Sequence, residues 1–157
     1  MKKIMTLLVA AMFCLTGTAK TADEVISELE KATSAKVIRF DKTMLASYLG
    51  KADSKKMEKL KNIDNGCVLI IEDADKAKVE KFNKITDELD DKAYEPFVTV
   101  FDGDDRVKVL GHVEGETVKE VFITVADGED CVMVHLNCNI PKSEIDSMIN
   151  KDTFSFN

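Results

Sequence analysis

The chain has 157 residues, a formal net charge of −7 and only two histidines. A chain of this length is typical of one domain with a complete apolar core. Its acidity disfavours nucleic acid and anionic lipid surfaces as partners, because negative charges repel each other.

The first nineteen residues have the layout of a secretory signal peptide. Lys2 and Lys3 precede an uncharged apolar run over 4–15, and small residues continue to Ala19. The apolar run is shorter than the roughly 20 residues that a membrane-spanning helix needs. We therefore expect cleavage after Ala19, and a domain of residues 20–157 that is exported to the periplasm or the medium without a membrane span.

A lipid anchor through Cys14 is the alternative reading of the same segment. Phe13 precedes this cysteine, whereas a lipoprotein peptidase expects a small residue there. The pattern therefore favours a cleaved signal over acylation. Cys67, Cys131 and Cys138 remain in the mature chain, so at most one disulfide can form, and the sequence leaves open which pair, if any, is bonded.

The first half of the mature chain alternates helices and strands. Thr21 and Glu24 form a capping-box pattern before apolar residues at helical spacing. A β-branched run predicts a strand over 37–40, and apolar spacing predicts a helix over 44–49 that stops at Gly50, followed by a weaker third helix over 51–64.

Asn65-Gly66 predicts a turn before a buried strand over 67–71. Asp73 or Asp75 then caps a helix, which has one apolar stripe consisting of Val79, Phe82, Ile85 and Leu89.

From Tyr94 onward the pattern predicts four strands joined by hairpins, and a last helix after Pro141. The separating segments are acidic and contain glycine, at 102–105, 114–116 and 127–128. The predicted fold class is therefore α+β, a mainly antiparallel sheet with a C-terminal four-stranded meander and helices packed on the sheet.

The predicted hairpins give the meander two apolar faces. A two-residue turn at Asp127-Gly128 places Ile123 opposite Val132. The primary core face then consists of Val98, Val100, Val107, Val109, Val121, Ile123, Val132, Val134, Leu136 and Cys138. The opposite face carries Phe97, Phe101, Leu110, Val118, Phe122 and Met133. Since this is more apolar surface than a monomer normally exposes, helices cover it or a partner binds it.

The same register places His135 opposite Glu120, a pair that could orient an imidazole for catalysis. An ordinary cross-strand polar pair is the competing interpretation, because no motif places a serine or cysteine nucleophile beside His135. Cys131 lies four positions away on the same strand, about 13 Å, too far to share a zinc ion. The acidic turns lack the ligand spacing of a calcium loop and suit tight hairpins. No cofactor, metal site or catalytic residue is therefore predicted.

Four tracts resemble domain-of-unknown-function family 4252, which comprises small exported bacterial proteins. They lie at 37–45, 94–109, 118–125 and 134–146 and span nearly all of the mature chain. The resemblance implies export and an α+β domain, and it supplies no activity, cofactor or functional residue.

The leading functional hypothesis is a non-enzymatic binding or interaction domain of the cell envelope. Its partner would be an envelope protein, on the surface of Phe97, Phe101, Leu110, Val118, Phe122 and Met133, or a small ligand. The alternative is an envelope hydrolase that uses His135 with Glu120.

Overall fold

A computed structural model describes residues 20–49, 58, 60–89 and 92–149. The predicted signal peptide with Cys14, most of the predicted third helix and the tail from residue 150 lie outside this range. The helices are α1 (Ala22–Thr33), α2 (Lys42–Leu49), α3 (Lys76–Thr86) and α4 (Lys142–Ile149). The strands are β1 (Lys36–Asp41), β2 (Ile63–Ile71), β3 (Glu95–Asp102), β4 (Asp105–Glu114), β5 (Thr117–Ala126) and β6 (Cys131–Pro141).

All six strands form one antiparallel sheet in the order β1-β2-β6-β5-β4-β3. Strands β3 to β6 follow each other through hairpins, which confirms the predicted α+β class and the C-terminal meander. Strand β2 joins the meander by pairing with β6, and β1 forms the edge beyond it.

Helices α1 and α3 cover one face of the sheet, named the helix-covered face below. In α1 the Thr21 side chain accepts a hydrogen bond from the Glu24 amide while Glu24 bonds the Thr21 amide, which confirms the predicted capping box. The Asp75 side chain caps α3 by accepting a hydrogen bond from the Lys78 amide. The cluster under these helices includes Val25, Leu29, Leu69, Val79, Phe82, Phe122 and Met133.

The opposite face, named the second face, packs against α2 and α4 at one end of the sheet. The buried cluster there includes Ile63, Val109, Val118, Val121, Cys138, Ile140 and Ile145. Away from α2 and α4, two rows of β-branched residues cross the sheet on this face. Most of the row Val98, Val109, Ile123, Val134, Val68 and Ile38 is only partly buried, and Ile38 is 48% exposed.

The second face therefore contains the predicted primary core residues, but the two longest helices lie on the other face. Helices α1 and α3 have 12 and 11 residues, whereas α2 and α4 have eight each. The largest fully buried side chains, Phe82 and Phe122, accordingly belong to the helix-covered face. Strand periodicity identifies the two faces but does not tell which one receives the longer helices.

The sequence predicted a turn at Asn65-Gly66, but in the structure both residues are part of β2. Asn65 pairs with Asn137 of β6, and Gly66 pairs with Leu136. A Cβ on Gly66 would lie 2.5 Å from the His135 carbonyl oxygen. The glycine is therefore required by close packing within the sheet rather than by a turn.

The predicted register of the last hairpin is wrong by two residues. Ile123 pairs with Val134 instead of Val132, because the loop takes in four residues, 127–130. The Asp127 side chain accepts hydrogen bonds from the amides of Glu129 and Asp130, at 3.0 and 2.8 Å. A two-residue shift keeps each side chain on its predicted face, so the hydrophobic pattern alone does not detect the error.

Among the described residues, no helix is both long enough and apolar enough to span a membrane.

Candidate functional site

A pocket of about 430 Å³ opens between the first turns of α1 and the adjoining ends of β1, β2 and β6. The lining is Asp23, Ile26, Arg39, Phe40, Asn65, Gly66, Cys67, His135 and Asn137. Its size lies within the usual range for small-ligand sites, roughly 300–1,000 Å³. Unlike most such sites it carries many polar groups, so it suits a polar ligand.

Pairing between the strands brings distant segments of the chain to this pocket. Arg39, Cys67 and His135 are successive partners across β1, β2 and β6, on the helix-covered face. Asn65 and Asn137 form the next pair toward the strand ends. Positions so far apart in sequence show no common local motif, which is why the pocket was not predicted.

Gly66 shapes the floor of the pocket. The edge of the Phe40 ring lies 2.8 Å from the place where a Cβ of residue 66 would stand, and a Leu136 methyl carbon lies at 2.9 Å. The missing side chain lets the Phe40 ring and the β6 backbone close together. Phe40 and Leu136 pack there on the second face, so any larger residue at position 66 would push these groups apart beneath the pocket.

His135 and Glu120 do meet, as the sequence predicted. The two atoms His135 Nε2 and Glu120 Oε1 are 2.9 Å apart, and the Tyr94 hydroxyl donates to the same carboxylate oxygen at 3.0 Å. His135 faces Phe122 in the ladder and Glu120 faces Asn137, so the pair is diagonal rather than directly opposite. The long side chain of Glu120 spans this diagonal, so the predicted contact forms although the predicted register was wrong.

Cys67 is the residue near His135 that sequence reasoning missed. It faces His135 directly in the β2–β6 ladder, and both side chains lie on the helix-covered face and line the pocket. In the sequence only Cys131 lies near His135, since Cys67 reaches it through the long-range pairing of β2 with β6. Burial raises the pKa of the Cys67 thiol, and the positive charge of Arg39 opposes this shift with a smaller effect.

The polar rim of the pocket combines amides with opposite charges. Asn137 Nδ2 donates to Asn65 Oδ1 at 2.7 Å, which leaves an amide N–H₂ on Asn65 and an amide oxygen on Asn137. Arg39 Nη2 lies 3.4 Å from Glu30, and its other donors stay available. Asp23 is exposed and has no ion-pair partner within the described part of the chain. The rim therefore offers a cation, an anion, a donor and an acceptor.

The six residues predicted as a partner surface do not form one exposed surface. Phe122 and Met133 are 1% and 0% exposed, under the helices of the helix-covered face, with Leu110 packed against them. Phe97 and Val118 belong to the second face, because irregularities at Pro96/Val98 and Val118/Glu120 shift the alternation of β3 and β5. Phe101 is 64% exposed and lies under Arg106, whose guanidinium carbon is 5.3 Å from the ring centre.

The remaining candidate groups serve local structure. Cys131 and Cys138 are free, buried thiols whose pKa burial raises to about 11. His112 bonds the Ala93 carbonyl at 2.8 Å and approaches Glu114 at 3.4 Å. Residues 20–149, apart from the undescribed positions, contain no group of three or more His, Cys, Asp or Glu that could hold a metal ion.

Comparison with protein families gives one match. The model of the family described as "Domain of unknown function (DUF4252)" matches residues 28–148. This range extends from within α1 into α4 and includes all six strands and most of the pocket lining. Searches of curated proteins and of solved structures find no match.

Proposed function

We propose that this chain, which belongs to the family Domain of unknown function (DUF4252), is an exported cell-envelope domain that acts by binding a small polar ligand. The observation that carries the proposal is the pocket beside α1. The polar residues that converge there are Asp23, Arg39, Asn65, His135 and Asn137. His135 is bonded to Glu120, which also accepts a hydrogen bond from the Tyr94 hydroxyl. Convergent polar groups in a preformed cavity are the usual mark of a ligand site.

The pocket is lined by groups that the fold already holds in place. Gly66 lies within the paired strands β1, β2 and β6, and the His135 ring is held by Glu120. A site that is already ordered loses less conformational entropy when a ligand enters. The side chain of Ile26, on α1, adds an apolar contact for the non-polar part of a ligand.

Two observations support export: the leader pattern, and the contacts of Lys20, the residue after the predicted cleavage site. The Lys20 amide donates to the Glu88 carbonyl at 2.9 Å, and its ammonium contacts the Glu28 and Glu88 carboxylates. Cleavage after Ala19 would therefore leave a first residue that is already held by the domain. Mass spectrometry of the protein from fractionated native cells should give Lys20 as the first residue in the periplasmic or medium fraction. An intact Met1 in the cytosol would refute export, and a lipidated Cys14 in the membrane fraction would replace cleavage by anchoring.

Binding can be tested without knowing the natural ligand. A mixture of small polar fragments is added to the ¹⁵N-labelled protein, and amide shifts are followed by NMR. We expect shifts concentrated at Gly66, Cys67 and Asn137. The variant Asn137→Leu should remove them, while Asn139→Leu, two residues along β6 and outside the lining, should not. Shifts scattered over the surface, or equal shifts in both variants, would count against the pocket.

A thiol hydrolase is the second candidate, because Cys67 lies opposite His135 and His135 is bonded to Glu120. The Cys67 sulfur would attack an ester carbonyl, His135 would pass the thiol proton to the departing alcohol, and water would then release the acid from the thioester. The raised thiol pKa of Cys67 opposes this step, since little thiolate is present at neutral pH. Hydrolysis of p-nitrophenyl acetate that is lost in both Cys67→Ala and His135→Ala would establish it, and a rate unchanged in either variant would eliminate it.

A further inference from the structure

We infer that the ligand of this pocket is a short peptide, recognised by both of its charged ends. This inference rests on the proposed binding function and assigns the chemical class of the ligand. Arg39 binds the free carboxylate, Asp23 binds the free ammonium, and the Asn65–Asn137 pair bonds the peptide group between them.

The two charges at the rim act on the same volume. Both Arg39 and Asp23 line the pocket; Arg39 lowers the pKa of the Cys67 thiol, whereas Asp23, together with Glu30, raises it. They belong to different elements, β1 and α1, so the pocket mouth lies between a cation and an anion. A ligand with one positive and one negative end matches this arrangement.

Neither charge is neutralised inside the pocket. Arg39 interacts with Glu30, an exposed residue of α1 outside the lining, through a single terminal nitrogen at 3.4 Å. Guanidinium groups present further N–H donors that suit a carboxylate. Asp23 is exposed and makes no ion pair with the described residues. Both groups can therefore change partners without breaking a buried contact.

The amide pair fits a peptide bond. The Asn65–Asn137 hydrogen bond uses one oxygen and one N–H, and the pair keeps an oxygen that accepts and N–H groups that donate. A peptide group needs one donor and one acceptor in return. Ile26, which lines the pocket from α1, provides apolar contact for a small side chain.

Other ligand classes fit less well. A phosphate or nucleotide would meet Arg39 as the cation of the lining, but also the negative charge of Asp23 at the same mouth. A sugar is usually held against an aromatic face, whereas the Phe40 ring packs with the cluster of the second face, on the other side of the sheet. The charge pattern therefore favours a zwitterion.

The test uses L-alanyl-L-alanine, its N-acetyl derivative and its C-terminal amide, each titrated into the ¹⁵N-labelled protein. We expect the free dipeptide to shift the Gly66 and Asn137 amides, and each blocked form to bind about fivefold more weakly. The effect is moderate because both charges are partly in solvent. A blocked form that binds as tightly as the free dipeptide would overturn the inference.

Two variants assign the ends of the ligand. In Arg39→Gln the free dipeptide and its amide should bind equally, and in Asp23→Asn the free dipeptide and its N-acetyl form should bind equally. Lys36→Gln, at the other end of β1, and Glu80→Gln, on α3, remove the same charges outside the lining and should keep the wild-type preferences. If the controls lose the preference too, the effect is one of net charge and the inference fails.

The two proposals fail separately. If polar fragments shift the pocket amides but the dipeptide does not, the peptide inference is overturned and the binding function stands. If neither the fragments nor the dipeptide shifts these amides, both are overturned.

Discussion

At the scale of single residues, the two glycines inside strands have different reasons to be glycine. A side chain on Gly66 would meet backbone, the His135 carbonyl oxygen at 2.5 Å. A side chain on Gly111 would meet the Phe97 ring instead of backbone. A ring at the end of a side chain can rotate away, whereas a paired strand cannot move without breaking its ladder. An added methyl group should therefore lower the stability of the fold more at Gly66 than at Gly111.

We predict that Gly66→Ala lowers the free energy of unfolding by about 2–3 kcal/mol, as expected for an overpacked interior. Gly111→Ala serves as the matched control and should cost about 1 kcal/mol, since Phe97 can shift. Urea unfolding followed by circular dichroism measures both. Equal costs, or a larger cost at Gly111, would show that the packing at Gly66 is not decisive.

His112 gives the chain a dependence of stability on pH. The hydrogen bond to the Ala93 carbonyl, with a smaller effect from Glu114, raises the pKa of His112 above its ordinary value, while burial opposes the shift. Glu120 adds a weaker attraction to the charged ring. A raised pKa in the folded state means that folding favours the charged ring. This contribution of His112 to stability is fully present below about pH 6.5, the pKa of an unfolded histidine. It is lost as the pH rises through the pKa of His112 in the folded protein.

We predict that His112→Gln destabilises the protein more at pH 5.5 than at pH 8.5. The difference should stay below about 1 kcal/mol, because the ring is partly exposed and solvent screens the attraction. Urea unfolding of the wild type and the variant at both pH values isolates the effect, since other titrating groups cancel in the comparison. A destabilisation that is the same at both pH values would contradict it.

At the scale of elements, α1 is both a core helix and a wall of the pocket. Val25 and Leu29 are completely buried, while Asp23 and Ile26 line the pocket from the first turns. The capping box at Thr21 fixes these first turns. Loss of the cap should therefore affect the stability of the domain and the position of Asp23 together.

We predict that Thr21→Ala lowers the free energy of unfolding by about 1 kcal/mol, the usual value of a lost helix cap. It should also weaken binding of the dipeptide, because the turn that carries Asp23 is less ordered. Thr21→Ser keeps the hydroxyl acceptor and should restore both properties. Thermal unfolding and the NMR titration measure the two effects. A Thr21→Ser variant as unstable as Thr21→Ala would show that the hydroxyl does not act as the cap.

Local signals in the sequence predicted local structure well. The cap of α1, the apolar stripe of α3 and the hairpins of the meander all depend on residues that are neighbours in the chain. The turn predicted at Asn65-Gly66 is wrong because a turn and close packing within a sheet both select glycine. The irregularities of β3 and β5 moved Phe97 and Val118 to the other face, since one extra residue reverses the alternation.

The pocket was only partly predictable for a related reason. The His135–Glu120 contact came from one hairpin, whose loop limits the possible registers. Cys67 and Arg39 reach the site through β1 and β2, which join the meander by long-range pairing. No pattern in a single sequence specifies that β2 pairs with β6, so this half of the site required the structure.

At the scale of the whole molecule, the two-faced sheet keeps the thiols apart. Cys67 and Cys131 lie in the cluster of the helix-covered face, and Cys138 lies in the cluster of the second face. Cys131 pairs with Ile71, four positions along β2 from Cys67, which is about 13 Å. A disulfide requires Cα atoms within about 7 Å. The sheet therefore separates all three pairs, although the sequence left a disulfide open.

We predict that Cys67, Cys131 and Cys138 stay free thiols even in an oxidising compartment. Without reductant, iodoacetamide should modify Cys67 first, because it lines the pocket, and should reach Cys131 and Cys138 only after unfolding in guanidinium. Burial protects the last two sterically and raises their thiol pKa to about 11, so little thiolate is present at neutral pH. Mass spectrometry of the alkylated peptides gives the order of reaction. A peptide pair joined by a disulfide would mean that two of these strands are placed differently. Equal alkylation rates of the three thiols in the native protein would mean that the sheet opens as readily at its centre as at the pocket.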